Sequence, residues 1–364
     1  MTSYPPRAPI FLDRNENNYG PAPACIDALR RAEPLSLSLY TRAHTRGVKS
    51  ALSERLAAEM GVPEERILLG YGAEDLLKQT IQCYLKPGAK LMIPSYSWWY
   101  YKEIASEVGG ENVEYPLVKG VDRFAYDVPG MIDVYRREKP GVVFISSPNN
   151  PTGNSMSSVE MTRVLDALRD VPVVLDQAYW YNAAALSVKE IVDRYPNTLL
   201  VRTFSKYYAL AGVRVGFAAA GTGLAELVKM SHRYLGYSRV SEEIAMAALD
   251  SAEYYQGIAK KMAADKEAYY RRVGALPGVT VFRSDANFLL VEIPSDVRDG
   301  LNAFLTSRGL MLKFMNEPLL KAHIRITLGT TEQNELVIAA FEEVFRSRAT
   351  LSATLSSDAL ERSS

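Results

Sequence analysis

The sequence predicts an α/β protein in two parts: a large domain on a mostly parallel central sheet, and a smaller α+β domain. Three observations carry this. The chain has 364 residues, enough at roughly 150 per domain for about two domains. From about residue 45 to 240, short apolar runs alternate with amphipathic stretches, the pattern of parallel strands joined by crossover helices. After about 241 the order changes to one long helical stretch, followed by strands and helices in mixed succession.

Residues 1–44 have three prolines before position 10 and PAP at 21–23. They read as an N-terminal arm and a short helix packing with the small domain, not as part of the sheet. In the large domain, 45–240, segments 67–69, 91–93, 142–146, 172–175, 199–204 and 215–219 are short and almost wholly apolar, as strands buried on both faces are. The stretch 46–60 sets Val48, Leu52, Leu56 and Met60 on one helical face, and 157–169 opens on a capping box, Ser157 with Glu160. The small domain, 241–346, reads as a helix over 241–272, strands near 279–283 and 286–292, and a helix near 296–308. Strands near 311–315 and 323–328 and a helix near 331–346 complete it. The Ser-rich tail 347–364 is expected to be disordered.

Lys plus Arg and Asp plus Glu each number 42, so the formal charge is zero and offers no footprint for nucleic acid or an anionic membrane. Any charged ligand must be caught locally. The two cysteines, Cys25 and Cys83, form no disulfide framework and no C-x-x-C pair, which fits a reducing compartment. The three histidines are scattered singly, so no metal site is expected. With neither a signal peptide nor an apolar run of about 18 residues, the cytoplasm is the expected location.

Lys206 lies in RTFSKYYALAGVRVGF, just past a buried strand. A lysine there, in apolar and aromatic surroundings, can lose its proton and act as an amine nucleophile towards a carbonyl. Thr203, Ser205 and Arg214 flank it with two hydroxyls and a guanidinium, groups that would hold a phosphate dianion. Asp176 ends the strand PVVLD, where α/β folds keep ligands, and could pair with a protonated ring nitrogen while Tyr179 reaches a neighbouring ring oxygen. A helix-capping Asp and a packed Tyr are the alternative. Asn150, in the turn-rich SSPNNPTGN, can offer its amide from a rigid loop, although a plain loop would look the same. GYGAEDLL, 70–77, places glycines at a helix entrance, where free N–H groups suit a phosphate.

Taken together, these motifs resemble the fold-type I pyridoxal-phosphate enzymes, specifically the class I/II aminotransferases of the histidinol-phosphate aminotransferase branch. The resemblance runs from LDRNENNYGP (12–21) to HIRITLGT (323–330). It implies that Lys206 carries pyridoxal 5'-phosphate covalently, that Asp176 pairs with the pyridine nitrogen, and that Tyr179 and Asn150 contact the ring hydroxyl. The turn Gly72–Ala73–Glu74, with Thr203, Ser205 and Arg214, would hold the phosphate. Tyr96 would stack on the ring, and Tyr40 would reach the partner subunit's cofactor phosphate in a homodimer. Arg325 would bind the anionic group of the substrate. The implied activity moves an amino group between an amino-acid or amino-phosphate donor and a 2-oxo acid.

The chain departs from that branch in places. Lys313 stands where a second arginine usually helps grip the substrate phosphate, keeping the charge without the fork geometry. Gln177 replaces a glutamate, and the bulky pair Tyr207–Tyr208 follows Lys206. The run Trp98, Trp99, Tyr100, Tyr101 reads as pocket wall or as core and interface, and Glu16 could approach a cationic substrate side chain from the arm. Cyclases, eliminases or decarboxylases acting on modified amino acids share the same cofactor residues and form the alternative activity. A nicotinamide-dependent dehydrogenase has only AAAGTGLAEL (218–227) in its favour, where Glu226 takes the place of the third glycine. A regulator without catalysis would not need the Lys206, Asp176 and Arg214 set.

Overall fold

The structure, a computed structural model, describes residues 8–40, 50–180, 187–232 and 235–361. Its strands, in chain order, are β1 (Ile10–Leu12), β2 (Ile67–Gly70), β3 (Lys90–Pro94), β4 (Glu111–Tyr115), β5 (Leu117–Lys119), β6 (Phe124–Tyr126) and β7 (Val142–Ser146). They continue with β8 (Val173–Asp176), β9 (Thr198–Thr203), β10 (Gly216–Ala220), β11 (Thr280–Val281), β12 (Phe288–Glu292), β13 (Leu310–Phe314) and β14 (His323–Thr327).

Seven of them form the central sheet, ordered β2-β10-β9-β8-β7-β3-β4. All run parallel except β10, which is antiparallel to both β2 and β9. The six apolar runs of the sequence are β2, β3, β7, β8, β9 and β10, each placed to within one residue. Alternation along β7 explains why they show no polar face. Val142 and Phe144 point into one core layer and Val143 and Ile145 into the other, all four without exposure. From β3 the chain moves outward to β4, and from β7 it moves the other way through β8 and β9. Ligands of open α/β sheets sit in the crevice at such a reversal, beyond the carboxyl ends of the strands.

The second sheet, ordered β1-β13-β14-β12-β11, belongs to the small domain. Here the arm differs from expectation. Ile10–Leu12 is a strand that pairs parallel with β13, Leu12 being fully buried, so the arm does join a sheet. The predicted helix 241–272 is two helices, Arg239–Leu249 and Ala252–Ala268, the second continuing into a wider helical turn over Tyr269–Val273. At the break, the Ser251 hydroxyl donates to the Ala247 carbonyl, the local competition that makes serine a helix interrupter. The last helix runs Thr331–Glu361, through the stretch expected to be disordered from 347. It contains neither Gly nor Pro. Residues 46–49 of the predicted helix 46–60 lie outside the described residues; Ala51–Met60 is helical, capped by Ser50.

Candidate active site

A cleft of about 810 Å³ opens between the two sheets. Its base is built where β2, β9 and β10 converge. Gly72 precedes the helix Ala73–Tyr84 with φ +83° and no side-chain cap, so the first N–H groups of that helix are left for a ligand. Two glycines are required here. A Cβ on Gly72 would lie 2.5 Å from Nη2 of Arg214, and one on Gly216 would lie 2.4 Å from the Ala73 nitrogen. Arg214, itself left-handed at φ 60°, donates to the Ser205 hydroxyl at 3.5 Å and to the Tyr71 carbonyl at 3.3 Å. Thr203 donates to Ser205 at 3.0 Å, and the Tyr237 phenol ties the Gly70 and Arg214 carbonyls together at 2.7 Å each. The Glu74 carboxylate is engaged by Tyr100 at 3.1 Å and lies 3.8 Å from Arg214, so what Glu74 offers an anion is its backbone. Two hydroxyls, a guanidinium and a helix N-terminus thus converge, the donor set of a phosphate cradle.

Lys206 follows β9 and projects into the same cleft, its ammonium donating to the Arg14 carbonyl at 2.8 Å. Burial, helped by the positive charges of Arg325 and Arg214, pushes its pKa down to about 8, against the pull of Glu16 and Asp176. Asp176, at the carboxyl end of β8, is 5% exposed. Burial raises its carboxyl; a phenol hydrogen bond from Tyr101 at 2.5 Å, the Ala178 N–H at 2.9 Å and the charge of Lys206 oppose the rise.

On the opposite wall, Tyr179 is buried, and its phenol oxygen accepts from Asn15 Nδ2 at 3.0 Å and from Asn150 Nδ2 at 3.3 Å. With both lone pairs used, the phenol is left to act as a donor. Burial raises its pKa, which keeps that proton in place. Arg325, on β14, donates to Asn150 Oδ1 at 2.7 Å and to the Asp13 carbonyl at 2.6 Å. Its register partner on β13 is Lys313, so both cations face the cleft from one sheet, with Glu16 and Glu317 also on the lining.

The structure therefore brings Ala73, Glu74, Asn150, Asp176, Tyr179, Thr203, Ser205, Lys206, Arg214, Arg325, Glu16 and Lys313 to one cleft, with Gly72 against Arg214 behind it. One residue predicted for this cleft lies elsewhere. Tyr96 packs edge-on against Phe124 at 5.1 Å and is not among the described lining residues; Ser97, Trp98, Trp99 and Tyr101 are. Tyr40, expected at the partner subunit's cofactor phosphate and not in its own cleft, is 68% exposed. Sequence reading missed Asn15, held by Thr327 and Asn287 at a φ of 57°, and the carboxylate partner Tyr101. The left-handed tolerance of asparagine was a signal for the first; nothing local marked the second. The glycines of 218–227 are explained by packing, since a Cβ on Gly221 would lie 2.1 Å from the Pro196 carbonyl oxygen.

The sequence profile described as aminotransferase class I and II matches residues 8–341. The histidinol-phosphate aminotransferase of Roseiflexus castenholzii is 32% identical over 344 residues, covering 92% of this chain and 89% of the relative. That of Ruminiclostridium cellulolyticum is 31% identical, covering 90% of each. Among solved structures, histidinol-phosphate aminotransferase from Sinorhizobium meliloti, in complex with pyridoxal-5'-phosphate, superposes with a TM-score of 0.83 at 27% identity, covering 94% of this chain and 92% of the other.

Proposed function

The chain belongs to the class I and II aminotransferases, and on that premise we propose that it moves an amino group from an amino-acid or amino-phosphate donor to a 2-oxo acid, with pyridoxal 5'-phosphate held at Lys206. The observation that carries this is the company Lys206 keeps. An amine with its pKa pushed down to about 8 shares a cleft with a buried carboxylate and, at its base, a converging set of phosphate donors. The cradle fits the cofactor's phosphate, since the missing Cβ atoms at Gly72 and Gly216 let the Arg214 guanidinium and the Gly72–Ala73 turn pack close enough to aim their donors at one anion.

The bound cofactor supplies an electrophilic carbonyl and a ring that takes up the electrons released at the donor's Cα. The protein does the rest. Burial disfavours the charge on Lys206, which suits its amine to act as nucleophile and then as general base at Cα. Asp176 would hold the ring nitrogen, its negative charge favouring protonation there. Tyr179 would donate a hydrogen bond to the ring oxygen, its phenol held in place by Asn150. Arg325, already oriented by Asn150 and the Asp13 carbonyl, offers a guanidinium to the donor's anionic group, with Lys313 beside it.

The reading includes a homodimer. Leu35, Leu37, Leu39 and Tyr40 form an exposed apolar stretch, a surface that a second subunit would cover, and Tyr40 would then serve the neighbour's phosphate. It also places the enzyme in the cytoplasm. No helix of the described residues is long and apolar enough to cross a membrane. Two measurements test the function. Protein reconstituted with pyridoxal phosphate should turn yellow, and borohydride should fix the label on the peptide containing Lys206. A screen of amino donors should then bleach the colour and release a new amino acid when a 2-oxo acid is added. Colour that returns without an acceptor would refute transamination.

A further inference from the structure

Tyr101 is 1% exposed, yet its oxygen reaches a charged group. It sits in the first turn of the helix Tyr100–Ser106, its ring held edge-on by Trp98 at 5.7 Å and Phe144 at 5.2 Å. The phenol donates to Oδ2 of Asp176 at 2.5 Å, while Oδ1 takes the Ala178 N–H at 2.9 Å. The carboxylate is thereby gripped from two elements, the crossover after β3 and the turn after β8.

We propose that Tyr101 is a positioning residue acting through Asp176: its phenol fixes the plane of the carboxylate and holds it as an anion, so that the proton shared with the cofactor's ring nitrogen stays on the nitrogen. This rests on the cofactor reading above. A carboxylate stripped of water is the stronger base, and left alone would draw the shared proton to itself. A hydrogen bond to the charged form opposes that draw and is roughly twice as strong as one between neutral groups. The phenol is the permanent donor, because burial and the adjacent carboxylate both push its own pKa well up. Removing the phenol oxygen would shift the proton towards Asp176 and weaken the ring as an electron acceptor.

The test uses holoenzyme carrying pyridoxal phosphate labelled with nitrogen-15 in the ring, read by NMR. The wild type should give a pyridinium signal, and Tyr101→Phe, which keeps the ring contacts, should move it towards neutral pyridine. Exchange of a bound donor's Cα hydrogen should slow about tenfold. p-Aminophenylalanine placed at position 101 keeps the shape with a weaker N–H donor and should give an intermediate nitrogen shift. In an Asp176→Asn background, Tyr101→Phe should add no further change in the nitrogen shift. An unchanged nitrogen shift in loaded Tyr101→Phe, or an effect that survives in full in Asp176→Asn, would overturn the proposal. If Tyr101→Phe does not fold, the p-aminophenylalanine protein decides, and a wild-type shift there overturns it. Wild-type protein that takes up no label overturns the cofactor reading and this inference with it.

Discussion

Burial disfavours the charge on Lys206, so replacing it by Met, an apolar side chain of similar length, should stabilise the cofactor-free protein at neutral pH. The fall from an ordinary 10.5 to about 8 corresponds to roughly 3 kcal/mol against charging the amine in the folded state. The hydrogen bond to the Arg14 carbonyl is lost in the variant, which offsets about 1 kcal/mol. The expected net gain is about 2 kcal/mol at pH 7. Because folding lowers this pKa, the unfolded chain binds the proton more tightly. The handicap of the wild type is therefore full below about pH 8 and disappears as the pH rises towards 10.5. Urea unfolding at pH 7 and pH 10 measures both ends, provided the slopes of the two proteins agree. The variant should have the higher midpoint at pH 7, with the gap mostly closed at pH 10. A variant less stable than wild type at pH 7, or a gap that does not change with pH, would refute the reasoning.

Gly72→Ala places a methyl group against the Arg214 guanidinium at a backbone angle alanine tolerates poorly; pyridoxal-phosphate affinity, measured by absorbance titration, should fall at least about tenfold. Arg325→Lys cannot make both of the bonds that now run to Asn150 and the Asp13 carbonyl. It should lower kcat/KM for the amino donor about 10- to 100-fold while cofactor loading stays near wild type, as steady-state kinetics and the visible spectrum would show. Gln177→Glu would give the Arg202 guanidinium, now bonded to a neutral amide at 3.0 Å and stacked over Trp180, a charged partner. Thermal melting should show about 1 kcal/mol of added stability at pH 7, lost once acid protonates the new carboxylate.

Strands buried on both faces were legible because their signal is local: five consecutive apolar or small residues, as in VVFIS, leave little else to form. The strand Ile10–Leu12 was not, since its three residues acquire their role from Leu310–Leu312, some 300 positions away. The same division runs through the site. Lys206, Thr203, Ser205 and Arg214 lie within a dozen residues and announce one another in sequence. An aromatic run carries no mark of which side chains face the cleft: Trp98, Trp99 and Tyr101 do, whereas Tyr96 packs on Phe124. Asn15 and Tyr101 matter through partners 164 and 75 residues distant, so their side chains spell out nothing until the chain has folded.

The contact between Gly216 and the Gly72–Ala73 peptide also limits how this scaffold can change. The anion-binding turn takes its position from β10 rather than from its own loop, so the alignment of β10 with β2 sets the site's dimensions. A one-residue insertion in 207–215 that let β10 slip would bring Val215 or Phe217 to the spot where only a hydrogen atom fits. Loop libraries grafted onto this protein should therefore keep that connection at its present length and place their diversity on the arm and the β13–β14 connection, where lengthening does not narrow the turn.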